Sequence, residues 1–384
     1  MRFDFVTAAK IVFGAGALKE LGTLVAPLGK HVLLVTFKNP ERASKAIEIL
    51  KAQNIEVTVF PTDGEPTIQM ARDGVKLAIE AGCDVVIGFG GGSAMDTAKA
   101  IAALMTNPGD PLDYLEVIGR GQPIKKPSLP FIAIPTTAGT GSEVTSNAVL
   151  ASPEHQVKVS LRSPLMLARI ALVDSTLTHS SPPEVTAQSG LDALTQVIEP
   201  YTSNKANPLT DAICKEAIQR AAGALQQAYE HPDDAAARED MSFVSLSGGL
   251  ALANAKLGAV HGFAGVFGGM YDAPHGGICA RLLPFVMDMN VRALRQRQPE
   301  ADYLRRYEIV AQLLTGDQRA TAEDGVKWVY RLTQTLNIPG LASYGMSDND
   351  LSTIIEKSAG ASSMQGNPIK LTSDEMRTIL TAAA

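Results

Sequence analysis

Two runs of small residues have the make-up of phosphate-holding loops. The apolar run Asp84–Phe89 leads straight into Gly90-Gly91-Gly92-Ser93, and a helical pattern follows from Ala94. Consecutive glycines let the backbone approach a ligand closely, because no Cβ stands in the way. The start of a helix beyond them offers unpaired N–H donors and a partial positive charge, which suit phosphate. This is not a GxGxxG fingerprint, since Ser93 stands where a third glycine would, and a tight turn is the plainer alternative. The second run is Pro135-Thr136-Thr137-Ala138-Gly139-Thr140-Gly141-Ser142-Glu143-Val144-Thr145, with five hydroxyls and two glycines just past the strand-like Pro130–Ile134. Open parallel sheets bind ligands off the carboxyl ends of their strands, so two such loops together point to a nucleotide. Gly14-Ala15-Gly16 reads only as a turn before a helix.

A second chemistry is suggested by histidine. His31, His155, His179 and His231 lie in polar or turn-like surroundings and read as ordinary imidazoles. His261 and His275 differ, because Leu257 to Ile278 is glycine-rich and carries Asp272 as its only charge. Two imidazoles in such a setting need partners; a divalent cation is one solution, and satisfied core histidines are the other. Upstream, Gly190–Glu199 opens a helix with Asp192 and Gln196 four apart, hence on one face. Asp192 there suits a ligand, or a carboxylate complementing the helix start.

These residues need a scaffold, and the chain of 384 residues is long enough for two or three domains. Strand-like runs occur at Lys30–Phe37, Glu56–Phe60, Asp84–Phe89, Pro130–Ile134 and Ile170–Val173, several of them apolar without alternation. Helical patterns at Glu41–Asn54, Thr67–Ala81 and Met95–Met105 lie between the early ones, as in a parallel sheet covered on both faces. After Pro182-Pro183 the periodicity is helical only, at Glu184–Glu199, Leu209–Glu230, Ala235–Leu257, Tyr303–Leu314, Ala322–Leu336 and Asp348–Lys357. The last begins like a capped helix, with Ser347 ahead and Asp350 inside. An α/β domain over residues 1–183 and an all-helical domain over residues 184–384 are expected.

Composition narrows the partners. With 45% apolar and 19% charged residues the chain is no disordered segment. Its 34 basic and 40 acidic residues give a net charge of −6 without blocks of one sign, which argues against nucleic-acid binding. Cys83, Cys214 and Cys279 are far apart with no CxxC, which excludes a disulfide scaffold and a zinc knuckle. Asp4 and Lys10 interrupt any signal-like stretch, and no window reaches the ~18 apolar residues of a membrane span. A soluble, cytoplasmic protein with no membrane partner is expected.

Taken together, GGGSAMDTAKAIA, PTTAGTGSEVT, GLDALTQVIE and HGFAGVFGGMYDAPHG, in this order, resemble the iron-containing (group III) alcohol dehydrogenase family. Gly366-Asn367-Pro368 before TSDEMRTIL resembles its C-terminus, so the likeness spans nearly the whole chain. It implies a Rossmann-like parallel-sheet domain, a helical domain of the dehydroquinate synthase-like architecture, and NAD or NADP between them. It also implies a divalent metal, Fe²⁺ or Zn²⁺, and a homodimer. Asp192, His261 and His275 match the family's metal ligands, while Gln196 stands where the family has histidine and Gly265 replaces a further histidine. An amide oxygen is a neutral and weaker ligand than imidazole. The related glycerol dehydrogenases, which bind zinc through one Asp and two His, are a precedent for three strong ligands.

For the cofactor, the resemblance maps onto Gly91, Gly92, Ser93, Ala94 and Met95, and onto Thr136, Thr137, Thr145, Lys158 and Leu177. Phe37, followed by Lys38 and with Arg42 near, replaces the Asp of many NAD-using members, so NADP is admitted beside NAD. Glu65 replaces the Asn common before the Pro-Thr pair. The activity implied is an NAD(P)-dependent alcohol dehydrogenase or aldehyde reductase, working on a small alcohol or carbonyl polarised by the metal. A cyclising lyase of the dehydroquinate synthase kind is the alternative enzyme, disfavoured because only Lys256 and Arg281 are basic near His261 and His275. A catalytically idle nucleotide-binding protein is the alternative of another class, suggested by the two missing histidines.

Overall fold

The apolar runs before residue 174 assemble into one parallel sheet in the computed structural model, which describes residues 2–155, 157–271 and 273–384. The first elements are β1 (Ile11–Phe13), α1 (Leu21–Val25), β2 (His31–Phe37), α2 (Ser44–Ala52), β3 (Glu56–Thr62) and α3 (Ile68–Ala81). Then come β4 (Val85–Gly90), α4 (Gly92–Thr106), the short α5 (Pro111–Tyr114), β5 (Phe131–Pro135), β6 (Asn147–Ser152), β7 (Val157–Arg162) and β8 (Ile170–Val173). The sheet runs β1-β8-β5-β4-β2-β3, every pair parallel. The chain adds β3 outside β2 and then returns to lay β4 on the other side. The order therefore reverses between β2 and β4, and a crevice at such a switch point is where open α/β sheets bind ligands.

Glycines inside β4 bring the next helix close. A Cβ on Gly88 would stand 3.0 Å from Met95 Cα, and one on Gly90 would stand 2.7 Å from Ala94 Cβ. One apolar layer joins Leu18, Leu21 and Leu50 to Val32, Leu34, Ile87 and Ile132 of the sheet. Another joins Ile68, Ala100 and Leu104 to Leu150 and Leu161. The last two belong to the antiparallel hairpin β6–β7, which was not expected from the sequence; nor was the three-residue β1. Thr67–Ala81 and Met95–Met105 are helical as expected, whereas Glu41–Asn54 starts with a 3-10 turn at Pro40–Ala43.

The remaining residues are helical: α6 (Pro183–Thr202), α7 (Pro208–Glu230), α8 (Ala235–Ala255), α9 (Ala259–Met270) and α10 (His275–Arg297). They continue with α11 (Asp302–Thr315), α12 (Ala322–Thr335), α13 (Leu351–Ala359) and α14 (Ser373–Ala383). Ser347 and Asp350 form the expected capping box, although the turn they cap is 3-10 before α13 starts. In this half three helices went unread, α9, α10 and α14. Glycine and proline disguise the first two, since α9 holds Gly262, Gly265, Gly268 and Gly269, and α10 carries Pro284 in its interior. Burial of their apolar faces in one large cluster outweighs that poor propensity.

The chain packs as two compact units. One comprises Val6–Thr137 and Gly141–His179, and the other comprises residues 2–5, Ala138–Thr140 and Ser180–Ala384. Among the described residues, no single helix is long and apolar enough to cross a membrane; α8 and α9 meet that composition only together, bent by 98°.

Candidate metal centre and nucleotide loops

In the helical unit, α6 presents Asp192, Gln196 and Glu199 at i, i+4 and i+7, all buried. Beside Asp192 stand His261, three residues into α9, and His275, which opens α10. Ligand atoms of Asp192, His261, His275 and Cys279 all lie within 4.8 Å of one another. His261 Nε2 is 3.3 Å from Asp192 Oδ1 without hydrogen-bond alignment, and neither atom has a hydrogen-bond partner among the described residues. Gln196 Oε1 is likewise buried without one. Three orphaned polar atoms in an apolar interior cost several kcal/mol unless something satisfies them. An oxygen and imidazole donor set gathered this way fits a divalent cation. Gln196 has room only because Gly248 faces it: a Cβ there would be 2.9 Å from Gln196 Cβ.

The outer partners orient the ligands. Glu199 Oε2 lies 2.7 Å from His261 Nδ1, so the proton sits on Nδ1 and Nε2 is turned toward Asp192. Glu199 Oε1 accepts from Val260 N at 2.7 Å. Asn367 Oδ1 accepts from Ala259 N at 3.2 Å, and its amide donates to Asn290 Oδ1 at 2.8 Å, tying the C-terminal motif to the start of α9. The charges agree with a cation site. The sulfur of Cys279 chiefly pushes His275 up to about 9, against burial. Burial would raise Asp192, but His261 and His275 hold its carboxyl below the usual range. Gly265 is exposed, and a Cβ on it would meet nothing described within 4 Å.

In the sheet unit the two loops lie side by side. Gly90 pairs with Pro135 at the ends of β4 and β5, Thr136 N donates to Gly90 O, and a Cβ on Gly91 would stand 3.4 Å from Thr137 Oγ1. Gly91 is the N-cap of α4, and among the described residues no side chain caps that end. The N–H groups of Gly92, Ser93 and Ala94 are thus free of intrahelical partners, while Met95 N already donates to Gly91 O. Ala94 and Met95 are buried, so only their backbone can serve a ligand. Ser93 Oγ donates to Gly64 O at 2.5 Å. Phe37 ends β2, 3.8 Å from a Cβ on Gly90, with the Arg42 guanidinium 3.9 Å over its ring. Lys38 is paired with Asp63 at 2.6 Å. Leu177 packs against the β2–α2 core layer. Lys158 pairs with Glu65 at 3.3 Å. Thr145 is not turned to an open face: its hydroxyl is buried and accepts from Lys99 Nζ at 3.0 Å.

Lys99 is fully buried in α4 and also donates to Ser142 O, Ser142 Oγ and Asn147 O at 2.8, 3.0 and 2.8 Å. Next to it, Glu143 is 1% exposed and its Oε2 has no hydrogen-bond partner among the described residues. Burial pushes its carboxyl up to about 7, with its own backbone N–H and Lys99 opposing. Between the unfolded value of 4.5 and about 7 the unfolded chain ionises first, so stability falls as pH rises. Below that window Glu143 is neutral in both states. The full loss, reached above about 7, is roughly 3 kcal/mol. Glu143→Gln should therefore match the parent near pH 4.5 and exceed its stability by roughly 2–3 kcal/mol at pH 8. Denaturant midpoints across that range check it, and equal slopes for both proteins would refute the assignment.

Glu199 and Cys279 escaped the reading of the sequence. Glu199 was detectable as the next residue on the Asp192–Gln196 face. Cys279 lies four residues after His275, a spacing that signifies contact only once α10 is known to be a helix.

Paired hydroxyl and glycine loops at a sheet's switch point and, in the helical unit, a buried carboxylate–imidazole cluster are parts that suit a nucleotide-dependent, metal-binding class of enzyme. The family model for iron-containing alcohol dehydrogenase matches residues 8–175, and that for the Fe-containing alcohol dehydrogenase family, C-terminal, matches residues 186–384. The chain is 34% identical to a choline dehydrogenase of Bacillus subtilis, covering 95% of this chain and 90% of that protein. It is 31% identical to an NAD-dependent methanol dehydrogenase of Bacillus methanolicus, with 98% of each covered. A crystal structure of 1,3-propanediol oxidoreductase superposes with a TM-score of 0.93 at 33% identity over 100% of both chains. The chain belongs to the iron-containing alcohol dehydrogenase family, whose members are oxidoreductases acting on CH–OH groups. The lyase alternative loses further ground because Arg281 is held by the carbonyls of Ala383 and Ala384.

Proposed function

We propose that the chain transfers hydride reversibly between a nicotinamide dinucleotide and a small alcohol or its aldehyde, with a divalent cation held by Asp192, His261 and His275. Gln196 stands one turn beyond Asp192 and offers its amide oxygen. The observation that carries this is the set of buried, unpartnered donor atoms on Asp192, His261 and Gln196. When bound, the cation supplies Lewis acidity toward the substrate's oxygen, and the dinucleotide supplies or accepts the hydride. Glu199 keeps the proton on His261 Nδ1 and so keeps Nε2 free to bind. Asp192, Gln196 and His261 are buried, which limits the access of bulk water to these donors.

For the cofactor we assign Gly91, Gly92, Ser93, Ala94 and Met95 to the pyrophosphate, the free N–H groups at the start of α4 acting as donors. Thr136, Thr137, Lys158 and Leu177 line the rest of the site, and Thr145 supports it through Lys99. Phe37 rather than a carboxylate ends β2, with the Arg42 guanidinium over its ring, so NADP is accepted beside NAD. The family likeness also supports a homodimer, and three free, buried cysteines suit a reducing cytoplasm.

The deciding experiment follows NADH and NADPH oxidation with a panel of small aldehydes, after stripping the protein with a chelator and after reloading it with Fe²⁺ or Zn²⁺ without oxygen. Turnover with both cofactors, lost on stripping and regained on reloading, is expected. Consumption of neither cofactor with any aldehyde would leave the idle nucleotide-binding reading in its place.

A further inference from the structure

We propose that the sulfur of Cys279 is a ligand of the same metal, so that a thiolate completes the donor set in which Gln196 replaces an imidazole. This rests on the metal site proposed above and concerns this chain's own departure from the family pattern.

Three observations converge on it. Cys279 is fully buried in α10, one turn after His275, and its Sγ is 3.6 Å from His275 Nε2. Sγ belongs with the Asp192, His261 and His275 atoms to a group spanning no more than 4.8 Å. The spacings also suit one ion. Bonds of about 2.0–2.1 Å at tetrahedral angles hold nitrogen and oxygen donors about 3.3 Å apart, and a sulfur bond of about 2.3 Å holds sulfur and nitrogen about 3.6 Å apart. The observed separations are 3.3 Å for His261 Nε2 to Asp192 Oδ1 and 3.6 Å for Cys279 Sγ to His275 Nε2.

The competing explanation is a weak hydrogen bond between the thiol and His275. That contact satisfies Cys279 but leaves Asp192 Oδ1 and His261 Nε2 orphaned, whereas one ion seated among the four atoms, all within 4.8 Å of one another, would satisfy them together. On binding, the S–H proton leaves to solvent and a sulfur–metal bond forms, with no change of oxidation state. A thiolate tilts the site toward Zn²⁺ and Co²⁺ and away from cations that prefer oxygen, such as Mg²⁺ or Mn²⁺.

The test uses the full chain loaded with Zn²⁺ and, separately, with Co²⁺. X-ray absorption at the zinc edge should show one sulfur at about 2.3 Å beside nitrogen and oxygen at about 2.0–2.1 Å. The Co²⁺ form should show a strong near-ultraviolet sulfur-to-cobalt band that Cys279→Ser abolishes. Cys214→Ser, which alters a buried thiol outside the cluster, should leave the band intact. Zinc affinity of Cys279→Ser should fall more than about tenfold, since even outer-shell partners carry losses of that size. If Cys279→Ser does not fold, the zinc-edge spectrum of the parent protein decides alone. A retained metal with nitrogen and oxygen neighbours only would overturn the thiolate and leave the metal site standing. A protein that retains no metal would overturn both.

Discussion

His261→Ala should abolish metal retention and, with it, aldehyde turnover. The imidazole is the one group in the cluster that touches both Asp192, at 3.3 Å, and Glu199, at 2.7 Å, so its loss removes a donor and breaks the orienting pair. Lewis-acid stabilisation is worth several kcal/mol, or roughly 10²–10⁴-fold in rate. A stability cost accompanies this, because among the described residues Glu199 is left buried with only the Val260 N–H to satisfy it. His261→Asn, which keeps an amide near Glu199, should recover part of the melting temperature and none of the activity. Metal content after dialysis against a weak chelator, melting temperature and turnover separate these effects. Full activity of both the metal-free parent and His261→Ala would rule out the Lewis-acid mechanism, leaving hydride transfer assisted by protein donors alone.

The glycine loop carries the other large expectation. Gly91 has φ −78° and ψ −168°, an extended backbone that valine also adopts, and a Cβ there would meet Thr137 no closer than 3.4 Å. Gly91→Val should therefore fold. Its branched side chain would occupy the space in front of the free N–H groups of Gly92, Ser93 and Ala94. Charge-assisted hydrogen bonds contribute roughly 1.5–3 kcal/mol each, so losing two weakens cofactor binding roughly 10²-fold or more. Metal content should stay at the parent level, which distinguishes this effect from general damage. Unchanged binding in a titration of NAD(P)H fluorescence, with a folded variant, would remove the pyrophosphate from this loop.

What the sequence made legible follows from how strongly each element declares itself locally. Four of the five strands that were read, β2, β4, β5 and β8, are apolar runs buried along nearly their whole length, and their signal survives without neighbours; β3, at the sheet edge, is only half-buried and was read from its β-branched residues. β6 was missed although its burial alternates, because it directly follows a hydroxyl-rich loop whose composition reads as irregular. The helices α9 and α10 were hidden by glycine and proline, and some of the glycines serve close packing. A Cβ on Gly262 would sit 3.0 Å from Met364, and one on Gly276 would sit 2.7 Å from Gln188 O. Missing α10 also concealed Cys279, because the His275–Cys279 spacing is informative only on a helix. His261 and His275, by contrast, stood out from residue type and setting, while Asp192 joined them only through the family resemblance. Which atoms face one another, and that Glu199 locks His261, needed the packed structure.

The buried lysine of α4 has a mechanical consequence. Its ammonium binds four oxygens contributed by Ser142, Thr145 and Asn147, while Asp96, one turn earlier, accepts from Ser142 Oγ and Val149 N. The hydroxyl-rich loop and the first strand of the hairpin are thereby clamped to the helix whose first turn is the glycine loop. Neither loop can swing as an independent flap. If the nucleotide binds these loops as proposed, much of the entropy cost of ordering them was already met when the chain folded.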